Sequence, residues 1–284
     1  MTTPNRTYVV GFDTSSESLQ AVRWARAAAG PDDRIIAVHA WDIPITAGYD
    51  MVIVIDPDEI EAAARTLLEQ LLEGEGDDRL EMATRRGHAG RALVEVGAEA
   101  DVLVVGHRGH SRVSLMLGST ANYVIHHTEQ PVVVVRGDDV SVPANVVVGV
   151  DHVDDPDDDP SVRALRWAME LRDADQVTAL HGWFLPPLAV GLPPDRAWDI
   201  DEMDAAALAV AERAVAAAGP PPDGVEVRAT MERGTGEFAL IEASRTADLV
   251  VVGRRGRGGF KELLLGSTSA ALAAHAHCPV AIIR

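Results

Sequence analysis

The sequence predicts an α/β architecture: two tandem doubly wound domains, each a five-stranded parallel sheet with helices on both faces. Two observations carry this reading. The first is an internal repeat. VVGFDTSSES (Val9–Ser18) returns as VVGVDHVDDP (Val147–Pro156), and AVRWARAAA around Trp24 returns as ALRWAMELR around Trp167. IAVHAWD (Ile36–Asp42) matches TALHGWF (Thr178–Phe184), and ADVLVVGHRG (Ala100–Gly109) matches ADLVVVGRRG (Ala247–Gly256). LGSTANYVIHHTEQPVVVVR closes the first copy and LGSTSAALAAHAHCPVAIIR the second. The second observation is the alternation, within each copy, of β-branched runs with amphipathic stretches. A β-α-β-α-β-α-β-α-β order needs crossovers and so a parallel sheet covered on both sides.

Taken in order, TYVVGF, RIIAVHAW, DVLVVG and PVVVVR are nearly continuous apolar runs, as strands buried on both faces require. Between them SLQAVRWARAAA and PDEIEAAARTLLEQLLEG read as helices, the latter with Ile60, Ala64, Leu67, Leu68 and Leu71 at helical spacing. DMVIVID (Asp50–Asp56) reads as a loop leading into the second helix rather than an extra strand. The polar stretch GDDVSVPAN separates the copies. The expected division is residues 1–138, a linker at 139–145, and residues 146–284.

Bulk properties bound the function. A formal net charge of −19 and a pI near 4.8 argue against a general nucleic-acid binder or a protein of anionic membrane surfaces. No apolar run reaches the ~18 residues of a membrane span, and the N-terminal residues lack a secretory signal's pattern. A single cysteine, Cys278, excludes an intramolecular disulfide. The cytoplasm is the expected location.

Against this acidity one stretch stands out. GRRGRGGFKELLLGST (Gly253–Thr268) gathers Arg254, Arg255, Arg257 and Lys261, the last being the chain's one lysine, against a single Glu262. In open parallel sheets, ligands bind beyond the carboxyl ends of strands where strand order reverses. The residues to read are therefore Gly11, Phe12 and Asp13 after the first strand, with Gly149, Val150 and Asp151 as their counterparts. After the fourth strand come Gly106, Arg108 and Gly109, and in the second copy Gly253, Arg255 and Gly256. Glycines three apart let a backbone approach a ligand closely. Gly118-Ser119-Thr120 and Gly266-Ser267-Thr268 then open a helix, with Ser-Thr as N-cap material and free N–H groups for an anion. A phosphate-bearing ligand accounts for glycine, helix start and positive charge together. The P-loop pattern and the dinucleotide GxGxxG after the first strand are both absent.

With these motifs the chain resembles the universal stress protein family in its tandem-domain form, whose signature after the fourth strand is G-x2-G-x9-G-[ST]. The second copy fits it from Gly253 to Ser267; the first has eight residues, HSRVSLML, between Gly109 and Gly118. The resemblance covers nearly the whole chain. It implies strand order 3-2-1-4-5 and ATP held between the first and fourth strands. By position, Gly11, Phe12 and Asp13 would meet adenosine and, through Mg²⁺ on Asp13, phosphate. Ala40 would touch adenine, and Gly106, Arg108, Gly109, Gly118, Ser119 and Thr120 would wrap ribose and phosphates. The equivalents are Gly149, Val150, Asp151, Gly182, Gly253, Arg255, Gly256, Gly266, Ser267 and Thr268. The resemblance also implies dimerisation or intrachain pairing through the fifth strands, PVVVVR and PVAIIR.

Each copy departs from the pattern. The short loop predicts a displacement of Gly118 of at most one residue's reach, ~3.3 Å. In the second copy Asp151–Pro160 inserts extra residues and holds six aspartates, which should repel ATP unless a divalent ion bridges. The first copy is therefore expected to be the better of the two ATP sites. His126, His127, His275 and His277 share no ligand set between copies, so they read as helix-terminus residues. His39, His181 and the tryptophan pairs read as packing residues. No nucleophile–base motif is present. The expected function is ATP binding that regulates domain pairing or partner binding with little turnover. A nucleotide-free scaffold and a weak Mg²⁺-dependent ATPase are the alternatives.

Overall fold

A computed structural model of the chain describes residues 5–42, 56–75, 77–109, 117–137, 141–185, 199–254 and 265–284. It divides into two compact units, Met1–Val140 and Ser141–Arg284. DMVIVID, apart from Asp56, lies outside the described residues, as do Arg255, Gly256, Arg257 and Lys261.

The first unit runs β1 (Thr7–Gly11), α1 (Ser16–Ala28), β2 (Arg34–Trp41), α2 (Pro57–Leu72), β3 (Leu80–Arg86), α3 (Ala89–Val96), β4 (Val102–Gly106), α4 (Ser119–His127) and β5 (Val132–Val135). Its strands lie in the order 3-2-1-4-5. The β1 strand is central: Val9 pairs in parallel with Ile36 on one side and Leu103 on the other. The second unit runs β6 (Asn145–Gly149), α5 (Pro160–Met169), β7 (Gln176–Trp183), α6 (Ile200–Ala218), β8 (Glu226–Arg233), α7 (Gly236–Ala243), β9 (Leu249–Gly253), α8 (Ser267–His275) and β10 (Val280–Ile283). It repeats the order, with Val147 between Thr178 and Val250. In both units helices cover both faces of the sheet.

Burial explains the valine runs. Val9, Val10, Leu103, Val104, Val133 and Val134 are fully buried, as are Trp24 and its neighbours Ala21, Val22 and Ala25 on α1. The β3 edge strand is instead exposed over Glu81, Met82, Arg85 and Arg86, the charge pattern of a protected edge. On α2 the buried stripe is Ala64, Leu68 and Leu72, while Leu67 and Leu71 of the spacing pattern are 41% and 42% exposed. The stripe is narrower than the apolar content of the helix because α2 flanks an edge strand.

An ionic network ties the turn before β3 to the end of α1. Arg79 donates to Ala29 O and Gly30 O at 2.7 Å and pairs with Asp77, which also accepts from Arg26. Glu75 accepts from Arg23 and Arg26. The guanidinium of Arg79 thereby satisfies carbonyls that the helix end leaves open. These hydrogen bonds hold the Asp77 carboxyl well below the usual carboxylate range.

Candidate functional site

The carboxyl ends of β1 and β4 diverge where strand order reverses, and a cavity of about 410 Å³ opens there in the first unit. Its lining includes Gly11, Phe12, Asp13, Ala40, Gly106, Arg108, Gly109, Gly118, Ser119 and Thr120, so the structure brings together all ten first-copy positions singled out in the sequence.

The β1 end is shaped by two hydrogen bonds from β2. Phe12 N–H donates to Val38 O at 2.9 Å, and His39 Nδ1 lies 2.9 Å from Phe12 O. The chain then turns through Thr14, at φ 73° the one described non-glycine residue with positive φ. This turn is costly for a β-branched residue. It folds the Asp13 carboxylate back over the site, where Oδ1 accepts from both the N–H and the hydroxyl of Ser15. Ser15 in turn caps α1 by accepting from Ser18 N–H.

The β4 side is built on glycine for steric reasons. A Cβ on Gly106 would lie 2.9 Å from the backbone C and O of Glu17, and one on Gly109 would lie 2.2 Å from Asp13 Oδ2. Gly118 N–H donates to His107 O at 2.9 Å, closing the loop at its base. In the second unit Gly266 N–H donates to Arg254 O at the same 2.9 Å. Although the intervening loops differ by one residue, both helix starts are tied alike to the strand ends before them.

Ser119 and Ser267 are not the caps. Gly118 and Gly266 are the N-cap residues, neither with a side-chain cap bond, and the serines are the first helical residues. With no capping hydroxyl, the first N–H groups of α4 face the cavity without an internal acceptor. Positive charge gathers beside them. Arg108 Nε is buried with no hydrogen-bond partner among the described residues, and so is Nδ1 of His107. Burial, then Arg136 and Arg108, push the His107 imidazole below its ordinary range. Burial and Arg108 push the Arg136 guanidinium down to about 10. The helix start, the orphan Arg108 Nε and the nearby Arg136 together make this end of the cavity electropositive.

The rest of the wall is apolar and was missed in the sequence: Val38, Ala89, Leu93, Val105, Leu117 and Ala121, with the hydroxyl of Ser18. Leu93 fills the space beneath Gly11, whose Cβ would lie 2.8 Å from Leu93 Cδ1. The signal was available, since ALVEV around Leu93 returns as ALIEA around Leu240, and Leu240 stands 2.6 Å from a Cβ on Gly149.

The second unit keeps the frame and changes the lining. Val150 N–H donates to Leu180 O at 3.0 Å, and His181 Nδ1 lies 2.9 Å from Val150 O. His39 and His181 thus hold the first-strand turn, a more specific role than packing. Where the first unit has Ala40 and Ala89, the second has Gly182 and Gly236. A Cβ on Gly182 would lie 2.7 Å from Gly236 Cα, so strand and helix meet backbone to backbone. Ala121 is replaced by Ser269, whose hydroxyl donates to Gly253 O at 2.8 Å. Gly149, Asp151, Gly253, Gly266, Ser267 and Thr268 stand at the strand and helix ends expected of them. Arg254 is only 5% exposed, so its side chain is buried rather than displayed on a basic loop.

The aspartate run is largely absorbed by local structure. Asp159 caps α5, accepting from Ser161 and Val162 N–H, and Asp158 pairs with Arg163. Asp155 accepts from Asp157 N–H within a turn. Cys278 is buried, which pushes its thiol up to about 12. No described helix is long and apolar enough to cross a membrane.

Comparison with known proteins agrees with the duplicated architecture. The sequence model of the universal stress protein family matches residues 4–136 and again 144–284. The chain is 33% identical to a universal stress protein of Mycolicibacterium smegmatis, covering 97% of this chain and 96% of that protein. It is 29% identical to universal stress protein Rv2623 of Mycobacterium tuberculosis, covering 97% and 95%. Among solved structures it is similar in fold to a universal stress protein from Archaeoglobus fulgidus, with TM-score 0.64, 19% identity and 99% of both chains covered.

Proposed function

The chain belongs to the universal stress protein family, and from that premise we propose that its first domain binds ATP, whose occupancy regulates domain pairing or partner binding in a stress response. The observation that carries this reading is the buried Nε of Arg108, without a partner among the described residues, in the wall of a cavity that also receives the start of α4. A buried guanidinium N–H left without an acceptor is costly, and a phosphate oxygen is a natural partner for it. The apolar wall from Val38, Ala40, Ala89 and Leu93 suits a base, and the glycine-lined floor suits a sugar-phosphate backbone. Mg²⁺ would be held by Asp13, whose carboxylate lines the cavity. The ion would neutralise phosphate charge, while the protein's own groups bind and orient.

The first domain is favoured over the second because Ala40 and Ala89 line its cavity, whereas at the matching place Gly182 and Gly236 meet backbone to backbone. The test is to purify the chain without added nucleotide, denature it and quantify the adenine nucleotide released. One ATP per chain, reduced in Arg108→Ala, supports the reading. No released nucleotide and no binding on adding MgATP would overturn it.

A further inference from the structure

We propose that the second domain carries a site for a divalent transition-metal ion of the zinc class, formed by Asp151, His152 and His181. Each offers one ligand atom, and the three atoms lie within 4.8 Å of one another. A tetrahedral Zn²⁺ with bonds of about 2.0–2.1 Å to nitrogen sets its ligands roughly 3.4 Å apart. The widest of these separations therefore needs to contract by up to about 1.4 Å. Asp151 and His152 adjoin one another on an exposed turn, so the contraction falls on side-chain rotation rather than on the core.

The orientation of His181 is already that of a metal ligand. Its Nδ1 lies 2.9 Å from Val150 O, so Nδ1 carries the proton and donates it, leaving the lone pair on Nε2. A backbone carbonyl behind a ligating imidazole fixes both tautomer and ring direction. The His152 ring stands edge-on to it, at 87° and 5.8 Å between centroids, and its Nδ1 lies 3.3 Å from Asp151 Oδ1. Two imidazoles and one carboxylate select Zn²⁺, Co²⁺, Ni²⁺ or Cu²⁺ over Mg²⁺ and Ca²⁺, which want oxygen donors. Three protein ligands leave a fourth position for water or a small anion. The neighbouring acidic run raises the local cation concentration at low salt.

The first domain is an internal comparison. It has the same aspartate and the same carbonyl-anchored histidine, Asp13 and His39, but Thr14 where the second has His152. His152 is thus the added element, and unlike Thr14 it does not sit at positive φ, so a threonine there would not be strained.

The experiment uses the full chain without an affinity tag, stripped with chelator and free of nucleotide. Co²⁺ is titrated in while the visible ligand-field bands are read, with Zn²⁺ competition and calorimetry for stoichiometry. One equivalent per chain, displaced by Zn²⁺ and not by Mg²⁺, is expected. His152→Thr should weaken binding by more than the roughly 10–100-fold that loss of an outer-shell partner costs. Asp151→Asn should weaken it too, both variants keeping the parent's circular dichroism. No stoichiometric band in the parent, or unchanged binding in both variants, would overturn the proposal. Nucleotide binding by the first domain is measured separately, so either site can fail without the other.

Discussion

Asp13 Oδ2 stands where Gly109 leaves room for it: a Cβ on Gly109 would lie 2.2 Å away. The carboxylate at the end of β1 and the backbone beyond β4 meet across the switch point, so the two halves of the site are in direct contact.

Gly109→Ala should therefore injure the site more than the fold. The atom it strikes is the end of a side chain that can rotate away, so stability should fall by no more than about 1 kcal/mol. ATP affinity should fall at least about tenfold, because the displaced Asp13 no longer faces the phosphates. Calorimetric titration alongside a thermal melt separates the two effects; a large loss of melting temperature with normal affinity would contradict this.

Gly106→Ala and Gly182→Ala should behave in the opposite way. Their new methyl groups meet backbone, Glu17 C and O in one case and Gly236 in the other. Each should cost about 1–3 kcal/mol in denaturant unfolding. Gly182→Ala merely installs the residue of the first copy, so its cost measures how differently the two units are packed.

Arg108→Ala should weaken the anion dependence of stability. In the parent, ATP should raise the melting temperature as mass action requires. Removing Arg108 also relieves Arg136 of a like charge, so the ligand-free variant should be no less stable than the parent, read by the same melts.

His107 gives the first unit a pH signature. Its imidazole titrates below the ordinary range because of burial and the nearby arginines. Above about pH 6.5 it is neutral folded or unfolded and costs nothing. As pH falls through that value the unfolded chain takes up the proton first, so stability drops until the folded pKa is passed. His107→Gln should flatten this segment of the stability–pH curve, measured by urea unfolding at fixed ionic strength.

Cys278 should not react with a thiol reagent in the native state, since burial raises its pKa to about 12 and the thiol donates to Pro279 O. Reaction should follow opening of the β10 region and accelerate with urea. Fast native-state modification would contradict the packing described for this strand.

The fold was legible because its signals are long and duplicated. Valine runs flanked by glycine set the strands, and the second copy repeated each with only small changes of offset. The ten first-copy positions that line the cavity were named for two reasons: nine lie at or just after strand ends or at a helix start, and Ala40, inside β2, came from the family resemblance. The apolar wall was not, because Leu93 and Ala89 belong to a helix whose role depends on which strand it packs over. The capping role of Gly118 was misassigned to Ser119, since a one-residue shift in a helix start leaves no mark on composition. The Asp151–His152–His181 grouping joins two strands' ends, and only folding brings it together.

The bond from Gly118 N–H to His107 O, with its twin from Gly266 to Arg254, closes spans of unequal length. A hydrogen bond that ties the two ends makes the intervening sequence a replaceable cassette. In one copy the cassette reads HSRVSLML, and in the other RGGFKELLL, with different charge and bulk. Evolution, or an engineer, can therefore change the length and composition of this segment while the helix start keeps its hydrogen bond to the end of the preceding strand.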